Sequence, residues 1–436
     1  MASIRGFLKQ NGNKSFLDFP FCEADLIVIA LLSYCNYEQS SITKNKDLYN
    51  SFTNIRDFMD ENTKKRITNN FFKPNEFLSF LEMFNKSSRY DNVELGFFEE
   101  NRSNRNEIQF FGLTFFIDDK IFVTFRGTDR SVVGWQEDFD LVLKDVIPSQ
   151  EEAKNYLFKM VNLLKKPVYV LGHSKGGNLA YFAYYFNDIN VKDMVIKVYN
   201  LDGPGFKFDT KKLYKKNKEK LVKIVPHDDV VGILLNDPSE LIICKSSEVN
   251  VNAHDLLTWQ FDFFNKYKTL TRTKELTIYS ETLRITINEF IKEIGIDNVK
   301  DVKRAIFEIV KINKVKDVIY IYEAALENIH NGLTEMRREN PEQVKQMEQL
   351  IKQFLKLYVK NFRKLEEKRR SSVFKKFSEL KEELKWSIFL VLIKERLQQG
   401  PYFMIKKENL YLNLNKKLLV FILLMDGSSK MLLIFS

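Results

Sequence analysis

Residues 167–180 read Pro-Val-Tyr-Val-Leu-Gly-His-Ser-Lys-Gly-Gly-Asn-Leu-Ala, and this stretch decides the fold. Its first half is short, apolar and rich in β-branched residues, which predicts a buried strand. Residues 172–176 fit the pattern G-x-S-x-G, and a helical run follows them at once. In this context of strand, tight turn and helix, the pattern holds a serine hydroxyl clear of the backbone. The stretch therefore predicts a nucleophile elbow at Ser174, with glycines where side chains would strike the neighbouring strand and helix.

The segments around the elbow alternate between strand and helix patterns. Strands are predicted at residues 108–117, 121–125, 194–201, 221–225 and 241–244, the first two joined by a tight turn. Helical patterns lie before, between and after them. This alternation predicts an α/β protein with a mainly parallel sheet and helices on both faces, and the elbow makes the α/β-hydrolase fold the expected form.

After about residue 272 the strands give way to amphipathic helices. Asn340-Pro341 is typical of a helix start, and apolar residues between 344 and 365 recur on one helical face. We therefore expect an α/β-hydrolase domain at residues 1–270 and a helical region at 271–400. Residues 401–436 form an apolar tail whose pattern suggests a hairpin.

Composition narrows the class of protein. Of the 436 residues 44% are hydrophobic, which is enough to build a large apolar core. The net charge of +10 is compatible with peripheral contact with an anionic membrane. Nucleic-acid binding is not expected. Three cysteines without metal-site spacing predict neither a disulfide framework nor a metal centre, and no cofactor is expected. No signal peptide and no stretch of 18 apolar residues is seen, so a cytoplasmic protein is expected.

A serine nucleophile needs a base, and the chain offers four histidines. His173 lies inside the elbow, where its side chain should point away from the serine, and His330 lies in the helical region. His227 precedes the expected place of the acid. In α/β-hydrolases the order along the chain is serine, acid, histidine. His254 follows every predicted strand and is therefore the expected base.

The base needs a carboxylate that fixes its tautomer. Asp229 follows a predicted strand, 55 residues after Ser174 and 25 before His254, and is the first choice. Asp202 ends the strand that should neighbour the elbow strand, and Asp228 is adjacent in sequence to Asp229. Both remain alternatives, because acids are common at strand ends.

The oxyanion of an acyl-transfer intermediate needs two backbone donors. The N–H of Lys175, the residue after the nucleophile, is the expected first donor. The second should come from an early strand–loop junction. Thr128, in the segment Arg126-Gly127-Thr128-Asp129, lies at such a junction.

Residues 125–129, Trp135 and residues 172–180 together resemble the fungal-type (class 3) lipases. That resemblance implies Ser174 as nucleophile, Thr128 as oxyanion donor, and Asp229 as the acid before a late histidine. An uncharacterised bacterial branch of lipase-like α/β-hydrolases is more similar still. The matching positions are Asp25 and residues 32–34, 199–206, 231–232, 254–255 and 259–260.

These observations predict a serine hydrolase that cleaves carboxylic esters, including lipid acyl esters, through an acyl-enzyme on Ser174. Its partner is then a small-molecule or lipid ester. Residues 129–148 contain Trp135 and Phe139, which are suited to a lid over an acyl pocket. The alternative is a catalytically inactive scaffold or interaction module that acts through its helical C-terminal half, since a fold does not establish a function.

Overall fold

A computed structural model describes residues 3–35, 37, 50–58, 73–129, 131–312, 334–338 and 340–383. The chain divides into a compact unit from Met1 to Leu355 and a second from Lys356 to Ser436. The predicted tail at 401–436 lies outside the described residues. The boundary expected near residue 270 stays a prediction.

Eight strands form one sheet and follow one another across it in chain order. They are β1 (Phe52–Asn54), β2 (Glu94–Ser103), β3 (Ile108–Ile117), β4 (Lys120–Phe125), β5 (Val168–His173), β6 (Val195–Leu201), β7 (Leu221–Pro226) and β8 (Leu241–Cys244). Strands β1 to β4 pair antiparallel. Strands β4 to β8 pair parallel. The α/β class and a largely parallel sheet are therefore confirmed. Strands β1 to β4 form an antiparallel part, of which the sequence predicted only the hairpin of β3 and β4.

Helices connect and cover these strands. They are α1 (Ile4–Asn11), α2 (Glu23–Leu32), α3 (Pro74–Asn85), α4 (Val132–Leu143), α5 (Pro148–Leu164), α6 (Lys175–Tyr185), α7 (Ile189–Met194), α8 (Lys211–Asn217), α9 (Ile278–Ile312) and α10 (Pro341–Glu383). The predicted start at Asn340-Pro341 is observed, because the Asn340 side chain accepts the N–H of Gln343 at 3.3 Å. The helical C-terminal part follows the sheet as expected.

Two apolar cores lie on opposite faces of the sheet. One contains the buried residues of α1, α2 and α3 together with those of β2, β3 and the last strands. The other contains α5 and α6 packed on β4, β5 and β6. Because both faces are covered, the central parallel strands are almost wholly apolar, as buried parallel strands are in general. Among the described residues, no helix is both long and apolar enough to cross a bilayer.

Candidate active site

The candidate site lies at the carboxyl ends of three neighbouring parallel strands. In the β4–β5 register Phe125 pairs with Gly172, and in the β5–β6 register His173 pairs with Leu201. The residues that follow these strands therefore emerge at one edge of the sheet. Ligands of open α/β sheets commonly bind at this edge.

The turn after β5 is strained in the way that the sequence predicts. Ser174 has φ 58° and ψ −134°, a conformation that a residue with a side chain rarely adopts. A side chain at Gly172 would strike the main chain of Gly176, and one at Gly176 would strike the main chain of Phe125. The Ser174 N–H donates to the Leu201 carbonyl at 3.0 Å, which fixes the turn against β6. Ser174 is half-buried, so its side chain reaches the surface of the edge.

The partner of His254 is Asp202, which corrects the first choice of Asp229. His254 Nδ1 lies 2.7 Å from Asp202 Oδ2, and the Asp202 side chain is fully buried. Asp202 follows β6 with φ 52°, a second left-handed residue beside the left-handed Ser174. Its N–H donates to the Ile224 carbonyl at 2.8 Å. This backbone turns the carboxyl toward the histidine, and Nδ1–H donates to it, so Nε2 is the basic nitrogen of His254.

His254 is held on a short 3-10 turn and remains neutral. Burial lowers its pKa, although neighbouring acidic side chains oppose that shift. A neutral imidazole is the form that can accept a proton. The Trp259 indole N–H donates to the Ala253 carbonyl at 3.0 Å and secures the turn from below. The side chain of His254 is 19% exposed, so it is accessible from solvent.

The side chain of His173 contacts His254 on one side and Tyr34 on the other. The two imidazole rings stack with their centroids 4.5 Å apart. His173 Nε2 lies 3.0 Å from the main-chain oxygen of His254, and its Nδ1 lies 2.7 Å from the Tyr34 hydroxyl. A carbonyl can only accept, so Nε2 carries the proton and Nδ1 accepts from Tyr34. Burial holds the pKa of His173 well below its usual value, which keeps this arrangement neutral.

The other predicted acids have different contacts. Asp228 accepts the N–H of Asn250 at 2.6 Å and the hydroxyl of Thr277, so it fixes loops outside the site. Asp229 is fully buried, and its Oδ1 accepts the N–H groups of Val231 and Gly232. Asp229 thus lies beside the Asp202 carboxyl rather than against the histidine.

Thr128 follows a residue that contacts the elbow directly. A side chain on Gly127 would strike both the His173 carbonyl and the Ser174 Cβ, so this segment is in close contact with the turn. The Thr128 hydroxyl donates to Asp138 Oδ1 at 2.7 Å. Burial raises the pKa of Asp138 to about 6. No motif in the sequence singles out Asp138, whose one signal is its position in the acidic segment after Thr128.

Lys175 uses its side chain for a structural contact. Its ammonium group lies 2.8 Å from Glu137 Oε2 and 2.8 Å from Gln109 Oε1, and the lysine and glutamate side chains are 1% and 0% exposed. Glu137 belongs to α4, the segment expected to act as a lid. In addition, Phe139 packs edge-to-face on Phe307 of α9, with ring centroids 5.7 Å apart. Helix α4 is therefore anchored at both places, and only the main chain of Lys175 remains for the predicted oxyanion role.

Comparison with known protein families gives one match. A family model described as Mbeg1-like matches residues 84–308, which is more than half of the chain and spans the sheet from β2 to β8. No curated protein matches the chain.

Proposed function

Because the chain belongs to the Mbeg1-like family, a lipase-like group related to the class 3 lipases, we propose that it is a serine hydrolase of the α/β-hydrolase type. It cleaves carboxylic esters, lipid acyl esters among them, through an acyl-enzyme on Ser174. One observation carries the proposal above the others. The buried carboxylate of Asp202 holds His254 in the Nδ1–H tautomer beside a strained serine turn.

In the proposed reaction, Nε2 of His254 takes the hydroxyl proton of Ser174 as Oγ attacks the ester carbonyl. Asp202 stabilises the imidazolium that forms and remains ionised itself. The tetrahedral intermediate collapses, the C–O bond to the alcohol breaks, and His254 returns the proton to the leaving oxygen. Water then attacks the acyl-enzyme with the same histidine as base, which releases the carboxylic acid and regenerates the serine.

The oxyanion of each tetrahedral intermediate is assigned to the backbone N–H groups of Thr128 and Lys175. Lys175 begins the helix after Ser174, so its N–H is one of those that a helix leaves without an internal partner. The hydrogen bond from Thr128 to Asp138 supports the assignment, because it restrains the threonine beside the elbow. The positive end of α6 adds to the same stabilisation.

The net charge of +10 supports a further part of the proposal, peripheral contact with anionic membranes that carry the ester substrate. The function is tested with a library of esters that vary in acyl length, using wild type and Ser174→Ala. Hydrolysis by wild type that disappears in Ser174→Ala is expected for at least one chain length. Equal turnover in the two proteins would refute the serine mechanism.

A further inference from the structure

Two buried carboxyl groups lie side by side under the histidine. The N–H of Gly232 lies 3.1 Å from Asp202 Oδ1 and also 3.1 Å from Asp229 Oδ1. Both aspartates are fully buried. Two negative charges that share one donor in a water-poor interior repel each other strongly. One of the two carboxyl groups must therefore hold a proton.

The hydrogen bonds identify which group holds it. Asp202 accepts with both oxygens, Oδ2 from His254 and Oδ1 from Gly232. Asp229 accepts only with Oδ1, while its buried Oδ2 has no donor within the part of the chain that the structure describes. A buried acceptor without a donor costs about 1–3 kcal/mol. That cost disappears if Asp229 carries the proton and donates it, so the proton belongs on Asp229.

We propose that Asp229 is a neutral carboxylic acid in the working protein and donates its O–H to the Asp202 carboxylate. The inference rests on the proposed function, because Asp229 acts through Asp202 as a positioning residue. Asp202 then accepts three hydrogen bonds at once, from Asp229, from the Gly232 N–H and from Nδ1–H of His254. Asp202, the carboxylate that contacts His254, is thus held in place by the protonated carboxyl of Asp229.

The surrounding charges leave the pair with a single negative charge. Lys223 from β7 is a nearby cation, but it already pairs with Asp237. Burial and the charge of Asp202 raise the pKa of the Cys244 thiol from β8, which stays neutral. Burial, then the charge of Asp202, raises the pKa of Asp229 well above its usual value. Burial raises the pKa of Asp202 to about 7, and the hydrogen bond from Asp229 opposes that rise.

The remaining neighbours add no positive charge. His254 is neutral because burial lowers its pKa. From α9, the Ser280 hydroxyl donates to the main-chain oxygen of Asp229 at 2.6 Å and leaves the carboxyl untouched. The two carboxyl groups therefore titrate as a coupled pair, and they share one proton around neutral pH.

Asparagine at each position separates the two roles. In Asp229→Asn the amide keeps the shape and the donor but cannot ionise, so labelling of Ser174 by an alkyl fluorophosphonate should stay within about tenfold of wild type. Asp202→Asn cannot hold the correct tautomer, and labelling should fall by on the order of 10⁴. If Asp229→Asn is as slow as Asp202→Asn, Asp229 is ionised in the working protein and the proposal is overturned.

A pH profile distinguishes positioning from mere packing. Asp229→Ala removes the donor that stabilises the Asp202 anion, so the pKa of Asp202 rises. The acid limb of the labelling rate should then move to higher pH in Asp229→Ala and stay in place in Asp229→Asn. A folded Asp229→Ala protein whose limb does not move would reduce Asp229 to a structural residue and refute the proposal.

Infrared spectroscopy tests the proton without relying on catalysis. With ¹³C-labelled aspartate, wild type at neutral pH should show the carbonyl stretch of a buried carboxylic acid, and Asp229→Asn should lose that band. Wild type that shows the band but never labels on Ser174 would sink the proposed function and leave the protonation of Asp229 standing. Wild type that labels on Ser174 but lacks the band would refute the protonation of Asp229 and leave the proposed function standing.

Discussion

Removal of one hydroxyl, in Tyr34→Phe, tests how the base is positioned. The Tyr34 hydroxyl donates to His173 Nδ1 at 2.7 Å and lies against Gly127, where an added side chain would strike it, so it joins the histidine to the segment that contains Thr128. Tyr34 and His173 are both buried. The change leaves a buried ring nitrogen without its donor, so the free energy of unfolding should fall by about 1–3 kcal/mol.

The same change should slow the chemistry. His173 then no longer has a fixed tautomer, and its hydrogen bond to the His254 carbonyl weakens. A displacement of the base by about 1 Å can cost on the order of 10² in rate, so fluorophosphonate labelling of Ser174 should fall between about tenfold and 10²-fold. Stability is measured by urea unfolding followed by tryptophan fluorescence, and labelling by intact-protein mass spectrometry.

Tyr37→Phe is the matched control. Tyr37 is also buried and, like Tyr34, lies just after α2. Its hydroxyl donates to the Leu32 carbonyl at 3.0 Å. It should lose stability of the same order and label at the wild-type rate. If Tyr34→Phe labels as fast as Tyr37→Phe, the contact from Tyr34 through His173 does not position the base, and the reasoning fails.

Three further outcomes are expected. Thr128→Val removes the hydroxyl that Asp138 restrains and should lower the labelling rate by up to about 10², whereas Thr128→Ser should stay near wild type; equal rates would exclude a role for the hydroxyl. Lys175→Met leaves Glu137 buried without its cation and should cost about 3–5 kcal/mol of stability in thermal or urea melts, against about 0–1 kcal/mol for the removal of a surface ion pair elsewhere; a small loss would mean that the pair is not buried in solution. Because Asp229 keeps a proton in the native state that it has lost in the unfolded state above about pH 4, the contribution of this group to stability should fall as pH rises above about 4; a contribution that grows with pH in wild type relative to Asp229→Asn would contradict the raised pKa of Asp229.

The strand–elbow–helix unit could be predicted from the sequence because its signals are local. A β-branched run, two glycines and a helical run each impose their conformation within a few residues, and the structure has β5, the turn and α6 in those places. Strand β2 was missed. Its segment, residues 94–103, contains several charged and polar side chains, and pairing with β3 rather than its own pattern makes it a strand.

The carboxylate that pairs with His254 could not be chosen from the sequence, because Asp202 and His254 are 52 residues apart and only the fold brings them together. Asp202 and Asp229 both follow strands, and their order relative to His254 is the same. The left-handed backbone of Asp202 and the anchoring of the histidine turn by Trp259 decide between them. The Asp202-Gly203 pair was the one available signal, since aspartate tolerates the left-handed region better than most residues.

The most direct measurement of the central claim is covalent labelling of Ser174 by an alkyl fluorophosphonate, read by peptide mass spectrometry. An unassisted serine reacts negligibly with such reagents, so fast labelling needs both a base within reach and an oxyanion site. We expect rapid labelling of wild type at Ser174, no label in Ser174→Ala, and a sharp fall in His254→Ala and Asp202→Asn. A folded wild-type protein with a cooperative melt that stays unlabelled, even in detergent micelles, would contradict the hydrolase and favour the catalytically inactive scaffold.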